Sequence, residues 1–253
     1  MFGPLLVLGG LIALAIGLLK LRPAYHVYRG ETDDIVAVER AEGPVEIEGT
    51  ATSLGDSLRA PITGTDAIAY EYEVEEYRSS GKNSSWKTVD EGRDATVFRL
   101  EDETASIRVE PAGAELALST DTTIEVGGGE PEPEPIREFL AHESDLESEN
   151  TSLDLKVVEL ATGNDRRYHE RRLEPGGEAY VFGQSSYDVD AREMMRDVSA
   201  VVSDGDGTPA FVVSDSGQEG TARLLVKRQL PWLVGGLLAI GVGVWLLPSS
   251  GLF

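Results

Sequence analysis

The chain has 253 residues, no cysteine, and 45 acidic against 22 basic side chains, giving a formal net charge of −23. The lack of cysteine excludes a disulfide scaffold, thiol catalysis, iron–sulfur clusters and every cysteine-based zinc site. With only His26, His142 and His169, a histidine-built metal site is not expected either. Charge of this sign repels phosphates, so nucleic acid is not an expected partner.

The basic residues are 17 Arg and 5 Lys, and the acids are spread through the whole middle of the chain. Dispersed carboxylates with little lysine keep a protein hydrated in concentrated salt, where self-repulsion is screened. The composition therefore predicts a salt-loving host. An acidic surface built for a cationic partner would instead be gathered in one patch.

Residues 2–19 (FGPLLVLGGLIALAIGLL) carry no charge. At 1.5 Å rise such a run is about 27 Å long, enough to cross a bilayer core. It lacks a basic leader and a small-residue cleavage site, so it reads as a span and not as a secretory signal. Residues 231–248 (PWLVGGLLAIGVGVWLLP) form a second uncharged run, with Trp232 and Trp245 near its ends, where indole rings favour the interface. All acids lie between Glu31 and Glu219. Outside that interval stand only Lys20, Arg22 and Arg29 after the first run, and Arg223, Lys227 and Arg228 before the second. These basic collars flank the central segment, which the positive-inside rule places in the cytoplasm with both termini outside. They are also suited to resting on anionic headgroups. Each run carries small residues four apart: Gly9, Ala13 and Gly17, and Gly235, Ala239 and Gly243. Such a stripe lets helix backbones approach, between the two runs or between copies.

Between the runs, strand signals dominate. Residues 68–77 (IAYEYEVEEY) alternate, with Ile68, Tyr70, Tyr72 and Val74 on one face and Ala69, Glu71, Glu73 and Glu75 on the other. Shorter runs at 45–51, 96–100, 106–110, 122–126, 155–160, 178–182, 198–202 and 210–213 repeat the character, separated by turn clusters such as 79–85, 111–113 and 204–209. The proline-rich 127–135 (GGGEPEPEP) predicts a linker or an excursion, and it delivers the chain into a helical pattern at 136–146. Residues 220–230 predict a basic helix entering the second span. The expected fold is mainly β, a barrel- or sandwich-like domain over 31–219 with one or two short helices, set between two transmembrane helices.

Chemical motifs are sparse. Gly55-Asp56-Ser57-Leu58 spells the nucleophile motif of a hydrolase family, but Pro61 follows where a helix is needed. Asp165 and His169 are also not at that family's two-residue gap. Asp204-Gly205-Asp206-Gly207 resembles part of a calcium loop, yet Pro209 and Asp215 stand where glycine and glutamate are required. Arg166, Arg167, Arg171 and Arg172, around Tyr168 and His169, could grip an anion or pair with the chain's own carboxylates. No catalytic residue, metal ligand or cofactor is expected.

The order of several segments resembles a known family. EGTA (48–51), LRAPITGTDAIAYEYEVEE (58–76), TVFRLEDETASIRVEPAGAEL (96–116), PIREFLAHESDL (135–146), HERRLEPGGEAYVFGQ (169–184) and FVVSDSGQEGTARLLVKR (211–228) run like the GIDE domain, also called BAM for "beside a membrane". That domain lies between two transmembrane helices in mitochondrial and chloroplast membrane-anchored ubiquitin ligases and in prokaryotic relatives. In the ligases a zinc-binding RING follows the second span. Here five residues follow Pro248 and there is no cysteine, so a zinc-held RING is not expected. The resemblance implies a membrane-proximal binding or assembly module, with the bilayer, a second copy or another membrane protein as partner. A ligase-family role in protein modification is the alternative, and a hydrolase using Ser57 the remote one.

The segment 31–219 holds all 45 acids but only 16 of the 22 basic residues. The Debye length is about 30 Å at 0.01 M salt and about 3 Å at 1 M, so repulsion spans the whole domain only in dilute buffer. The melting temperature of residues 31–219 should rise steeply from low to molar potassium chloride. A melting temperature indifferent to salt would assign the acids to a partner.

Overall fold

The structure, a computed structural model, describes residues 2–39, 41–80, 83–119, 121–142, 151–155, 158–191 and 197–246. The first apolar run forms α1 (Gly3–Lys20), with Pro4 in the first turn, where its missing N–H is not needed. A short helix α2 (Arg22–Arg29) continues it, and α3 (Ile35–Val38) follows. Then come β1 (Gly43–Ser53), β2 (Leu58–Arg59), β3 (Asp66–Ala67), β4 (Ala69–Ser80), β5 (Asn83–Ala95), β6 (Phe98–Glu101), β7 (Ser106–Val109), β8 (Glu115–Ala117) and β9 (Asp121–Val126). After α4 (Glu134–His142) follow β10 (Thr151–Leu155), β11 (Val158–Thr162), β12 (Arg166–Leu173), β13 (Glu178–Tyr187), β14 (Asp197–Ser203) and β15 (Val212–Ser214). Helix α5 (Gln218–Trp245) ends the described chain, running unbroken through Pro231. The expected juxtamembrane helix and second span are thus one element. The strand expected at 155–160 crosses residues 156–157, and the helical pattern expected to 146 passes residue 142; both excesses lie outside the described residues.

Among the described residues, β1 pairs with β6, β6 with β7, β7 with β14, β14 with β13, and β13 back with β1. The sheet therefore closes into a five-stranded barrel, and β15 and β8 extend it outward from β13. Counted along the chain the barrel order is first-second-third-fifth-fourth, with the third and fifth strands (β7 and β14) parallel. This is the connectivity of five-stranded Greek-key barrels of the oligonucleotide/oligosaccharide-binding type, a frame that carries many unrelated functions. Ile47, Phe98, Leu100, Ile107, Val181 and Val202 fill it and are wholly buried. The parallel β7–β14 ladder is irregular between Asp197 and Val201. There a buried Arg99 donates from Nε and Nη2 to Asp197 (3.0 and 3.2 Å), and Ser106 donates to the same carboxylate at 2.7 Å. The bidentate pair supplies bonds across β6, β7 and β14 where the backbone ladder falters.

A second, antiparallel sheet, β5-β4-β12-β9, is built from chain inserted between barrel strands. On one face Tyr72, Val74, Ile124, Val126 and Tyr168 pack with Ile62 and with Ile136, Phe139 and Leu140 of α4. The other face is charged. The segment 127–135 is no loose tether: it makes a turn closed by Glu130 N–H to Gly127 O at 2.9 Å, and Gly128 N–H reaches Asp165 at 2.9 Å.

Helices α1 and α5 run antiparallel and in contact, and both are long and apolar enough to cross a membrane. Their seam repeats every seven residues. Gly3, Gly10 and Gly17 of α1 face α5, and Gly236 and Gly243 face α1. Val7 lies against Gly243, Leu14 against Gly236, Ile240 against Gly10 and Leu233 against Gly17, so each large side chain sits on a glycine of the other helix. This knob-on-glycine pattern at heptad spacing keeps two helices in register. The four-residue stripe expected from the sequence is only partly at this contact. Gly17 and Gly243 belong to the seam, Ala13 and Ala239 are half-buried, and Gly9 and Gly235 face away with nothing within 4 Å of an added methyl. Two helices nearly parallel in axis keep the same faces together by a repeat of seven, and a repeat of four drifts off the seam. The outer faces stay bare, with Leu5, Leu8, Leu11, Leu237 and Leu238 each more than half exposed.

Neighbouring glycines distinguish the two registers. A methyl at Gly10 would stand 2.6 Å from the Gly236 carbonyl oxygen, so Gly10→Ala must part the backbones. Gly10→Ala should destabilise the helix pair by about 1–3 kcal/mol as overpacking does. Gly9→Ala should leave it unchanged or raise it by up to about 1 kcal/mol through helix propensity. Thermal melts of both variants in detergent micelles measure the difference.

Candidate site at the junction of module and helices

The junction begins with a carboxylate on the wrong face of a strand. Glu46 of β1 points outward from the barrel, yet α2 and the start of α5 cover it and leave it 8% exposed. Around it Ala24 and Val27 of α2 and Ala222 and Leu225 of α5 pack on Tyr180 and Phe182 of the barrel wall and on Val212 of β15. The Tyr180 hydroxyl donates to Glu46 Oε2 at 2.7 Å, and Gln218 Nε2 donates to it at 3.2 Å. The same Gln218 amide also reaches the carbonyls of Val27 and Gly30, both at 2.8 Å, where α2 ends. Its backbone N–H donates to Glu48 at 2.6 Å, which places an acidic side chain at the N-terminus of α5. Gly30 gives the Glu46 carboxylate its room: an added Cβ would overlap it, so a larger residue would have to displace it from Tyr180 and Gln218.

Burial holds the Glu46 carboxyl above its ordinary range, against the lowering effect of the bonds from Tyr180 and Gln218. Burial, then the bond to Glu46, pushes the Tyr180 phenol far up, so it remains a donor at any accessible pH. Nothing local in the sequence marks this node, because Glu46 alternates with Val45 and Ile47 like any solvent-facing residue.

Further along α5, at Arg228, two clefts that share Glu71, Arg93 and Arg228 in their linings open beside the charged face of the second sheet. One, of about 610 Å³, is walled by Glu71, Glu73, Glu91, Arg93, His169 and Arg171. The other, of about 480 Å³, lies where the two apolar helices leave the module, between Lys20, Arg93, Glu115, Gln229 and Trp232. Arg228 lines both, donating to Glu71 at 2.7 Å and to the Leu116 carbonyl at 2.5 Å. Burial raises the Glu115 carboxyl, and the nearby Arg228 and Lys20 act in the opposite sense.

Strand alternation divides the arginine cluster of β12 into two pairs. Arg166 and Arg172 lie on the α4 side, where Arg166 pairs with Glu76 (3.3 Å) and Arg172 with Glu170 (3.4 Å) and Glu174 (2.7 Å). Glu170 is wholly buried and also accepts from the backbone of Ile62 and Thr63, pinning the 60–65 loop. Arg167 and Arg171 lie on the open face, against Glu125 (2.7 Å) and Asp121 (4.0 Å), with Arg167 stacked 3.9 Å over the Trp86 ring. Each of the four has a carboxylate of this chain as partner, and β12 is the basic strand between two acidic ones.

The collar residues scatter similarly. Arg29 donates to Tyr25 at 2.6 Å, Arg223 pairs with Glu219 at 2.9 Å, and Arg22 and Lys227 are exposed. The Ser57 hydroxyl is bonded to Ser53 at 2.9 Å, and the ring nitrogens of His169 to Thr123 and Glu75, so these groups do not form a triad. Residues 204–207 lie in a turn, closed by Thr208 N–H to Gly205 O at 3.1 Å.

A sequence model for the GIDE family, described as E3 Ubiquitin ligase, matches residues 69–215, from β4 to just past β15. The chain belongs to the GIDE family. The match takes in the whole second sheet and most of the barrel. The helix pair and the Glu46–Gln218 node lie outside the matched GIDE segment. No curated protein and no solved structure matches the chain.

The raised Glu46 carboxyl sets a pH dependence. The folded state binds this proton more tightly than the unfolded chain, so its contribution is full below the ordinary carboxyl value of 4.5. It is lost as pH rises through the raised folded value. Glu46→Gln keeps an acceptor for Tyr180 and removes the ionisation. Relative to wild type, the variant should gain stability as pH rises from 4 toward neutrality. Paired urea titrations across that range test it. Parallel curves for the two proteins would remove Glu46 as the source.

Proposed function

We propose that this GIDE-family chain is a two-span membrane protein whose β module is held against the bilayer as a binding or assembly platform. The observation that supports this most directly is the junction. Gln218 bonds α5 to the end of α2 and to the barrel at once, so the module is fixed in orientation on the helix pair. A tether needs no such bonds; a platform that presents one face does. The face it presents is the open side of the second sheet, with Glu73 and Glu91 bordering the larger cleft. The collars on both helices favour a cytoplasmic module with the termini outside.

A second reading comes from the family's description as an E3 Ubiquitin ligase. These residues contain no cysteine, so they hold no zinc-bound RING. Ligase chemistry would come from a partner polypeptide or a segment beyond these residues, and the module would then position it at the membrane.

The protein should remain in the membrane pellet through carbonate and urea washes; release to the supernatant would overturn the membrane reading. The chain's lack of cysteine makes a label unique. With Ser84→Cys on the exposed β4–β5 hairpin, an impermeant thiol reagent should not react in intact cells but should react after lysis. Reaction in intact cells would reverse the orientation. For the platform itself, a protein copurified from native membranes at high salt should be lost on Glu73→Lys/Glu91→Lys. Retention by that variant would take the open face out of the role.

A further inference from the structure

In a chain of net charge −23 a surplus of cations is unusual, and the smaller junction cleft has one, with Lys20, Arg93 and Arg228 against Glu71 and Glu115. Lys20, the last residue of α1, and Arg93, an exposed residue of β5, both line it; among the described residues neither makes a hydrogen bond or close ion pair, and both act on the Glu115 carboxyl from longer range. Arg228 is already committed to Glu71 and the Leu116 carbonyl. Glu115, the remaining acid, has its carboxyl raised by burial and so takes up a proton more readily, which weakens its repulsion of an anion. Gln229 also lines the cleft. It is 6% exposed, and its Oε1 is buried with no hydrogen-bond partner. A buried acceptor left unmade costs about 1–3 kcal/mol, so this position calls for a donor. The volume, about 480 Å³, is in the range of small-ligand sites.

The cleft's position selects the ligand. Lys20 ends one apolar helix, and Trp232, 46% exposed, opens the apolar part of the other. An indole there marks the headgroup level of a bilayer. We propose that the cleft is a discrete site for one anionic phospholipid, its phosphate held between Lys20 and Arg93 and a headgroup hydroxyl donating to Gln229 Oε1 as that side chain turns out into the cleft. The site differs from the general attraction of basic collars to a charged surface, because it has a fixed volume, two specified cations and one acceptor. It rests on the membrane reading above, and a lipid with both phosphate and hydroxyl, such as a phosphatidylglycerol, fits its chemistry.

The test uses the full chain, delipidated in detergent micelles and titrated with short-chain phosphatidylglycerol, phosphatidic acid, phosphatidylcholine and glycerol 1-phosphate, with native mass spectrometry as readout. Phosphatidylglycerol should bind saturably, one per chain, and at least tenfold more tightly than phosphatidylcholine. Lys20→Gln/Arg93→Gln should weaken it at least tenfold. Gln229→Leu should weaken phosphatidylglycerol but not phosphatidic acid, which has no headgroup hydroxyl. Arg22→Gln/Lys227→Gln, which alters exposed collar cations outside the cleft, should bind like wild type. Near-UV circular dichroism of each variant separates lost binding from lost folding, and Lys20→Arg should rescue affinity. Equal loss in the collar variant would overturn the site in favour of diffuse attraction. Glycerol 1-phosphate binding as tightly as the lipid would overturn the lipid assignment in favour of a soluble phosphate ligand. A wild-type chain that stays in washed membranes yet binds no lipid saturably defeats this proposal while leaving the membrane reading intact.

Discussion

A highly acidic module has to be joined to two apolar helices without leaving polar backbone bare at the seam. The Gln218 side chain is the element on which that join depends. Helix α2 ends with carbonyls that have no partner within the helix, and those of Val27 and Gly30 would face the packed interior between α5 and the barrel. One amide group satisfies both and also reaches Glu46. The bond from Gln218 N–H to Glu48 satisfies the opposite need, an unfilled donor at the start of α5. The two helix termini are therefore capped by each other and by neighbouring carboxylates of β1. Removing Gln218 would orphan the Val27 and Gly30 carbonyls at the end of α2 and strip Glu46 of β1 of one of its two donors, a cost above that of one exposed hydrogen bond.

The same logic explains how so many acids fit on a small barrel. Where carboxylates enter the interior, each is surrounded by donors: Asp197 by Arg99 and Ser106, Glu170 by two backbone N–H groups, Thr63 and Arg172, and Glu46 by Tyr180 and Gln218. These are charge-assisted bonds whose removal leaves a desolvated partner, so they specify which strands and loops meet. On the open face of the second sheet the arrangement is different. There β4 and β9 contribute acids and β12 contributes bases, in cross-strand register, and the pairs remain accessible to water. Exposed pairs of this kind add little stability each and leave the face able to exchange partners.

Much of the fold was legible because water and hydrocarbon sort residues at fixed periods. Two uncharged runs marked the helix pair, and alternation in 68–77 marked β4. What escaped detection was structure made by polar residues. Strand β5 (NSSWKTVDEGRDA) has almost no apolar alternation, since it pairs along one edge of β4 and only Val89 joins the sheet's core. Strand β12 reads as a basic cluster, and its strand character follows from the acidic neighbours it meets only in three dimensions. The helix seam was legible in kind but not in register: several glycines stand in each run, and the set that faces the partner is decided by packing at a repeat of seven. The candidate site was least legible of all. Lys20 and Arg228 stood out as collar charges, whereas Glu46, Arg93, Gln218 and Gln229 carry no local signal, because their roles come from contacts between residues far apart in sequence.

The boundary of the family match coincides with a physical boundary. Residues 69–215 contain the second sheet and all barrel strands except β1. Strand β1 is the one that closes the barrel, by pairing with both β6 and β13. It also carries Glu46 and Glu48, the two carboxylates that hold the helices. A single strand thus completes the module and fastens it to α2 and α5, so the barrel cannot close in this chain without presenting its attachment point. That coupling makes the orientation of the open sheet face over the helix pair a property of the fold, and it places Arg93, from the second sheet, beside Lys20, from the first apolar helix. A cleft whose walls come from both sides of such a join exists only when module and helices are assembled together. Whatever binds there acts on the complete molecule, stabilising the attached arrangement in proportion to its affinity.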